Sequence, residues 1–360
     1  MYTEGELTVR LGLRAGRIRA VDIASTRAAL PPQLTRGRTA DEVARTVPLL
    51  FSVCSLAQSA ATAGALDAAR GRAWDATGLA RRSDAVRREA AIELLTRLLL
   101  DWPRELGVAP DVPAVAHARQ AAPERGLDVC RAIARDRVYG IEASAWLDQT
   151  SLEVLDRWTA EATTLPGRLL ARLQSEAEGL GRSDVDAMPL TDSESILGML
   201  PALDIAPDFG RLPDWHGRPV ETGPLARRAR HPLLAAFVQR DGNSVAARFV
   251  AQLVDLASVL SPDDATPAVG QLAAGGRVGV GLAETARGLL LHHAQVAADG
   301  RVERYRIVAP TEWNFHPEGA LTRGLIGRPA PDAVSARRDA SLLAQALDPC
   351  VAFRIEAADA

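Results

Sequence analysis

Lysine is missing from this chain: all 42 basic residues among its 360 are arginine. Beside so much alanine, that bias reads as codon usage, not as an arginine-driven function. The net charge of −3 and a pI near 6.1 argue against nucleic acid as the main partner. Cysteine is scarce as well. Only Cys54, Cys130 and Cys350 occur, an odd set of three that disfavours a disulfide framework. No apolar run reaches the roughly 18–20 residues of a spanning helix, and no charged–apolar–small signal segment opens the chain. A cytoplasmic protein that engages no membrane is the expectation. No internal repeat or low-complexity tract appears. What is present is an ordinary globular composition, 47% apolar and 24% charged, long enough for one large or two ordinary domains.

Leu7, Val9, Leu11 and Leu13 alternate, and after Arg14-Ala15-Gly16-Arg17 the chain resumes at Ile18, which predicts a hairpin. Thr39-Ala40-Asp41-Glu42 is a capping box opening a helix that Pro48 ends or bends. Small and apolar residues from Val53 to Ala69 predict a buried helix with Cys54 in its first turn. Val86, Ala90, Leu94 and Leu98 mark an amphipathic helix from Ser83 to Trp102, stopped by Pro103. A further helical block runs from Ser144 to about Glu178, broken at Pro166-Gly167. Residues 181–223 read as loops with short elements, and helix returns from Asn243 to Leu260. Strands follow at Gly288–Ala297 and Val302–Val308 around the turn Ala298-Asp299-Gly300.

Two segments carry the chemistry. Phe51-Ser52-Val53-Cys54 continues through Ser55-Leu56-Ala57 to Gln58, and Asp348-Pro349-Cys350 leads through Val351-Ala352 to Phe353. Each reads as a C-x-x-C motif with phenylalanine in place of one cysteine. A lone buried cysteine is more often a small core hydrophobe than a ligand, so the surroundings decide. Cys130 has no ligand-like neighbour and reads as core packing. His292-His293, adjacent on a strand, point to opposite faces and make poor joint ligands.

Between the cysteines stand Glu221-Thr222-Gly223-Pro224-Leu225-Ala226-Arg227, Glu284-Thr285-Ala286-Arg287-Gly288, Asp299-Gly300-Arg301-Val302-Glu303-Arg304-Tyr305 and Pro310-Thr311-Glu312-Trp313-Asn314. With Thr3-Glu4-Gly5-Glu6-Leu7 and the two cysteine segments, these resemble the large subunit of nickel–iron hydrogenases. That family has E-V-G-P-L-A-R, E-x-P-R-G, D-G-x-I-x-x-Y, P-T-T-W-N and I-E-G-H-L at these places. The likeness covers the first ten residues, about 36–72 and most of 215–350, and does not extend through the helical middle. Two metal-ligating cysteines of four are lost, and Gln58 and Glu356 stand where the motifs have histidine. This pattern resembles the HupK/HoxV hydrogenase-accessory family.

The resemblance implies an α+β, mostly α fold of the hydrogenase large-subunit type, as a single domain over 1–360. It would comprise an N-terminal hairpin (1–30), a mainly helical body (36–260), and a C-terminal β hairpin with the second cysteine motif (275–360). It implies no enzyme, but a non-catalytic scaffold in hydrogenase maturation. An Fe(CN)2CO group would sit transiently on Cys54 and Cys350, with Arg287, Pro310 and Thr311 lining its cyanide pocket. A guanidinium and a threonine hydroxyl suit metal-bound cyanide, an anionic acceptor. Nickel, which needs all four thiolates, is not expected, and Phe51 and Phe353 should fill its volume. By position Cys54 matches a bridging cysteine and Cys350 a terminal nickel ligand, so either the iron sits displaced or the loop after Pro349 shifts. Glu4 aligns with a proton-relaying glutamate. Arg227 reads as helix-start packing or as a buried ion pair. The implied partners are HypC/HypD-like maturation proteins and the large-subunit precursor. Ala360, ten residues past Cys350, leaves little resembling a cleavable tail. Two other readings stay open: a metal-free docking chaperone, and a quinone-handling electron-transfer subunit akin to the relative in respiratory complex I.

Overall fold

The computed structural model describes residues 5–27, 30, 32–51, 53–188, 193–205, 209–263 and 268–359. Thr3 and Glu4 lie outside them. Strands β1 (Glu6–Arg14) and β2 (Arg17–Ser25) form the expected hairpin, with Leu7, Val9, Leu11 and Leu13 all buried. Ala15 at φ 52° and Gly16 at φ 68° make its two-residue turn, whose twist needs positive φ at both places.

Helix α1 (Ala40–Thr46) begins with the reciprocal Thr39–Glu42 capping box and passes into a 3-10 turn at Pro48. Helix α2 (Ser55–Ala69) follows, then α3 (Ala76–Thr96). Pro103 does not stop the chain's helical course. A π-type turn at Arg97–Asp101 absorbs the mismatch, and Pro103 falls in the first turn of Trp102–Glu105, where a missing N–H costs nothing. Pro166 likewise opens the helix Leu165–Glu176, and the breaks fall on either side of Leu152–Glu161. The stretch expected to be loops contains the helix Ser193–Ile205.

Helix α4 (Val245–Leu260) is the axis of the body, buried along its whole length. A core element of this kind must satisfy its own polar groups. Asp255 takes Arg227 at 2.6 Å and Arg228 at 2.8 Å, Arg248 takes Glu221, and Gln252 accepts from Trp102 Nε1. Arg227 is thus held in a buried ion pair.

The expected C-terminal hairpin is part of a larger antiparallel sheet, β3 (Val269–Gly275), β4 (Val278–Thr285), β5 (Gly288–Val296) and β6 (Val302–Val308), paired in sequence order. One face receives α2. The other packs on an apolar cluster that includes Ile196, Leu203, Phe209 and Trp313. Helix α2 lies close against β4 because Gly279 and Gly281 have no side chains. A Cβ at Gly281 would stand 1.8 Å from the Ala61 carbonyl oxygen. After the short α5 (Pro310–Asn314) and α6 (Ala333–Leu347), the chain ends in β7 (Ala352–Asp359). This strand pairs in parallel with β1, Leu7 opposite Phe353, and makes a three-stranded sheet from the two ends of the described chain. No helix among the described residues is long and apolar enough to cross a membrane.

Candidate functional site

Cys54 is the residue that caps the N-terminus of α2, and it is half-buried. Its sulfur makes no capping bond. The free N–H groups of Leu56 and Ala57 instead donate to Glu89 of α3, at 2.8 and 3.0 Å. The carboxylate completes a helix start whose dipole favours negative charge. One turn along, Gln58 Nε2 donates to Cys54 Sγ at 3.7 Å. Burial pushes the Cys54 thiol up to about 12, and the neighbouring Cys350 and Glu89 add to the rise. Cys54 is a neutral thiol at neutral pH unless a cation binds it.

Cys350 arrives from the other end of the sequence. Helix α6 ends at Asp348, whose φ of 51° lies in the left-handed region. That conformation costs a non-glycine residue about 1–3 kcal/mol, and it turns Pro349 and Cys350 back toward α5. There the Thr311 hydroxyl donates to Cys350 Sγ at 3.0 Å, and the Cys350 N–H donates to Thr311 Oγ1 at 3.1 Å. Arg27, just beyond β2, donates to the same sulfur at 3.2 Å and to Glu312 at 3.1 Å.

Arg287 occupies the two-residue turn between β4 and β5, where Thr285 pairs with Gly288, yet it is only 4% exposed. Burial alone would lower its pKa. The carboxylates of Asp348 and Glu93 outweigh this and raise it, and both cysteines lie near enough to contribute. Arg287 Nη2 donates to Glu93 at 3.0 Å. Asp348 Oδ1 stands 3.3 Å from Arg287 Nε and 2.7 Å from Arg97 Nη2. These last contacts are ion pairs without hydrogen-bond alignment, so Arg287 Nε is a buried donor with no acceptor.

The fold therefore brings Cys54, Cys350, Arg287 and Thr311 together, with Pro310 buried at the start of α5. The phenylalanines do not share one volume as expected. Phe51 belongs to a cluster with Val43, Val47 and Leu66, whereas Phe353 packs from β7 against the main core under the N-terminal sheet. Parallel pairing with β1 places Phe353 opposite Leu7, while Cys54 packs against the Phe51 cluster. Cys130 is fully buried in the main core. His292 faces α2, with its Nδ1 3.2 Å from Thr62 and 2.6 Å from Tyr305. Burial drives its pKa to about 3, so it stays a neutral core group.

Sequence reasoning missed Arg27, Glu89, Glu93 and Arg97. Glu89 and Glu93 had a signal, since their spacing of four residues puts both at the edge of the buried stripe of α3. Arg27 had none, because its sulfur contact spans 323 residues. Among the described residues no group of three or more His, Cys, Asp or Glu side chains is arranged to hold a metal ion.

Residues 243–355 match a model of the nickel-dependent hydrogenases. Over 98% of its length the chain is 30% identical to the hydrogenase expression/formation protein HoxV of Cupriavidus necator, covering 96% of that protein. It is 35% identical to HupK of Azotobacter vinelandii, with 98% of each chain covered. To HupK of Rhizobium leguminosarum bv. viciae it is 32% identical over 99% of each. Among solved structures, the as-isolated Ni-Fe-Se hydrogenase of D. vulgaris Hildenborough shares the fold, with a TM-score of 0.59, 94% of each chain covered and 18% identity.

Proposed function

This chain belongs to the HupK/HoxV family of hydrogenase expression/formation proteins, and from that membership and its paired cysteines we propose a non-catalytic scaffold in nickel–iron hydrogenase maturation. In this reading Cys54 and Cys350 hold an Fe(CN)2CO group, which then passes to the large-subunit precursor. The group is cargo. HypC/HypD-like maturation proteins would deliver it in the cytoplasm.

The observation that carries the reading is the convergence of two thiols, from residues 54 and 350, beside buried N–H and O–H donors. An iron that brings three diatomic ligands needs only two more from the protein, the number that Cys54 and Cys350 supply. Cyanide nitrogens are acceptors. Arg287 Nε, buried without one, and the Thr311 hydroxyl are donors of the right kind. Soft thiolates match low-spin iron, and binding would release the Cys54 proton. Two thiols stand where a nickel site needs four thiolates, so nickel has no part in this reading.

Infrared spectroscopy tests this on protein purified without oxygen from cells expressing the maturation machinery. Bands of iron-bound carbon monoxide and cyanide are expected, and they should vanish in Cys54→Ser and Cys350→Ser. The high thiol pKa of Cys54 favours one second reading, a metal-free docking chaperone. A blank spectrum together with hydrogenase maturation that survives both serine variants would select it.

A further inference from the structure

Each carboxylate bordering the two cysteines is already engaged. Glu89 accepts the Leu56 and Ala57 N–H groups, Glu93 accepts Arg287, Asp348 pairs with Arg97 and Arg287, and Glu312 accepts Arg27. A bare divalent ion arriving at either sulfur would have to compete with these cations and N–H groups for any carboxylate oxygen. Arg27 makes the arrival harder still. Its side chain is 9% exposed, that of Glu312 is 15% exposed, and the same Nη1 reaches both Glu312 and Cys350 Sγ. A metal bonds a thiolate at about 2.3 Å. To come that close on Arg27's side it must push the guanidinium off the sulfur. The displaced cation has little water to retreat into and remains beside an ion of like charge. Its N–H also loses an acceptor in a buried place.

A metal sheathed in anionic acceptors meets a different response, because the N–H leaving the sulfur can turn to the incoming ligand. Glu312 stands where the hydrogenase-like segment P-T-T-W-N has its second threonine, so this departure from the motif is what anchors Arg27.

We propose that Arg27, anchored by Glu312, is a specificity-determining residue that bars bare divalent metal ions from Cys350 and admits a metal already carrying cyanide-like acceptor ligands. The inference deepens the iron-group reading and rests on it for the identity of the admitted complex. The exclusion itself can be tested without that complex.

The test titrates reduced, metal-free, full-length protein with Ni2+ and Zn2+ in the absence of oxygen, counting metal retained after desalting. Wild type should retain no more than Cys350→Ser. Arg27→Ala and the more conservative Arg27→Gln should each gain a site at least about tenfold tighter, lost again in Arg27→Gln/Cys350→Ser. Glu312→Gln should fall between. Equal affinity in wild type and a folded Arg27 variant overturns the proposal, as does a gained site that persists without Cys350. Infrared spectra separate the two ideas. Gained nickel binding in the Arg27 variants with no cyanide bands in wild type leaves the exclusion standing and removes the iron group. Bands in wild type with no gain in the variants does the reverse.

Discussion

Glu89 shows how one residue ties the site to the stability of the whole. Burial lifts its pKa from an ordinary 4.5 to about 7, against the opposing pull of the Leu56 and Ala57 N–H groups. The protonated form is thus the better buried one. Its contribution is complete below about pH 4.5 and is lost as the pH rises through about 7. Stability should fall over that window by an amount of order 1–3 kcal/mol from this group. Glu89→Gln, neutral throughout, should flatten the fall. Urea midpoints measured at about pH 5 and pH 8 check it, and a wild-type midpoint that does not fall refutes it. At this scale the sequence was half legible. Cys54, Cys350, Arg287 and Thr311 stood in recognisable segments. Arg27 and Arg97 are surface-like arginines by composition, and only the tertiary fold gives them partners.

Among the elements, the α2–β4 contact sets where Cys54 stands. Its alanine-rich helix was legible from small residues alone. The strand beneath it was not, because Val278-Gly279-Val280-Gly281 carries the glycines that normally mark a loop or a bulge. Those glycines are there for a helix that cannot be seen in local sequence. Gly281→Ala would put a methyl group 1.8 Å from the Ala61 oxygen and 2.6 Å from the Ala65 nitrogen, both backbone atoms. A loss of about 1–3 kcal/mol is expected from such overpacking. Helix α2 should also lift, so that Cys54 reacts faster with an alkylating reagent while fully buried Cys130 does not. Thermal denaturation and mass-spectrometric mapping of the labelled cysteine provide the check. Unchanged stability and labelling would mean that the helix has room to spare.

The whole molecule is closed by β7 lying beside β1. The segment was read only as the tail of a cysteine motif, yet Phe353, Ile355 and Ala357 alternate inward with Arg354 and Glu356 outward, the period of a strand. What could not be read was its partner, which lies at the opposite end of the sequence. Removing residues 352–359 should cost about 2–4 kcal/mol in lost packing and pairing. It should also leave β1 with an open edge prone to association. Chemical denaturation and light scattering of the truncated chain report the two effects separately. A truncated chain as stable and monodisperse as the parent would show that the sheet needs only its hairpin.

That closure also fixes an order of events in the cell. At a synthesis rate of about 5–20 residues per second, on the order of 20–70 s pass between the emergence of β1 and of the strand that covers it. Cys54 is made early and waits through most of translation without its partner sulfur. Cys350 comes late, and the strand that fastens it follows directly after it. The pair of sulfurs exists only once translation has passed residue 350, so a half-made chain has no complete site to fill.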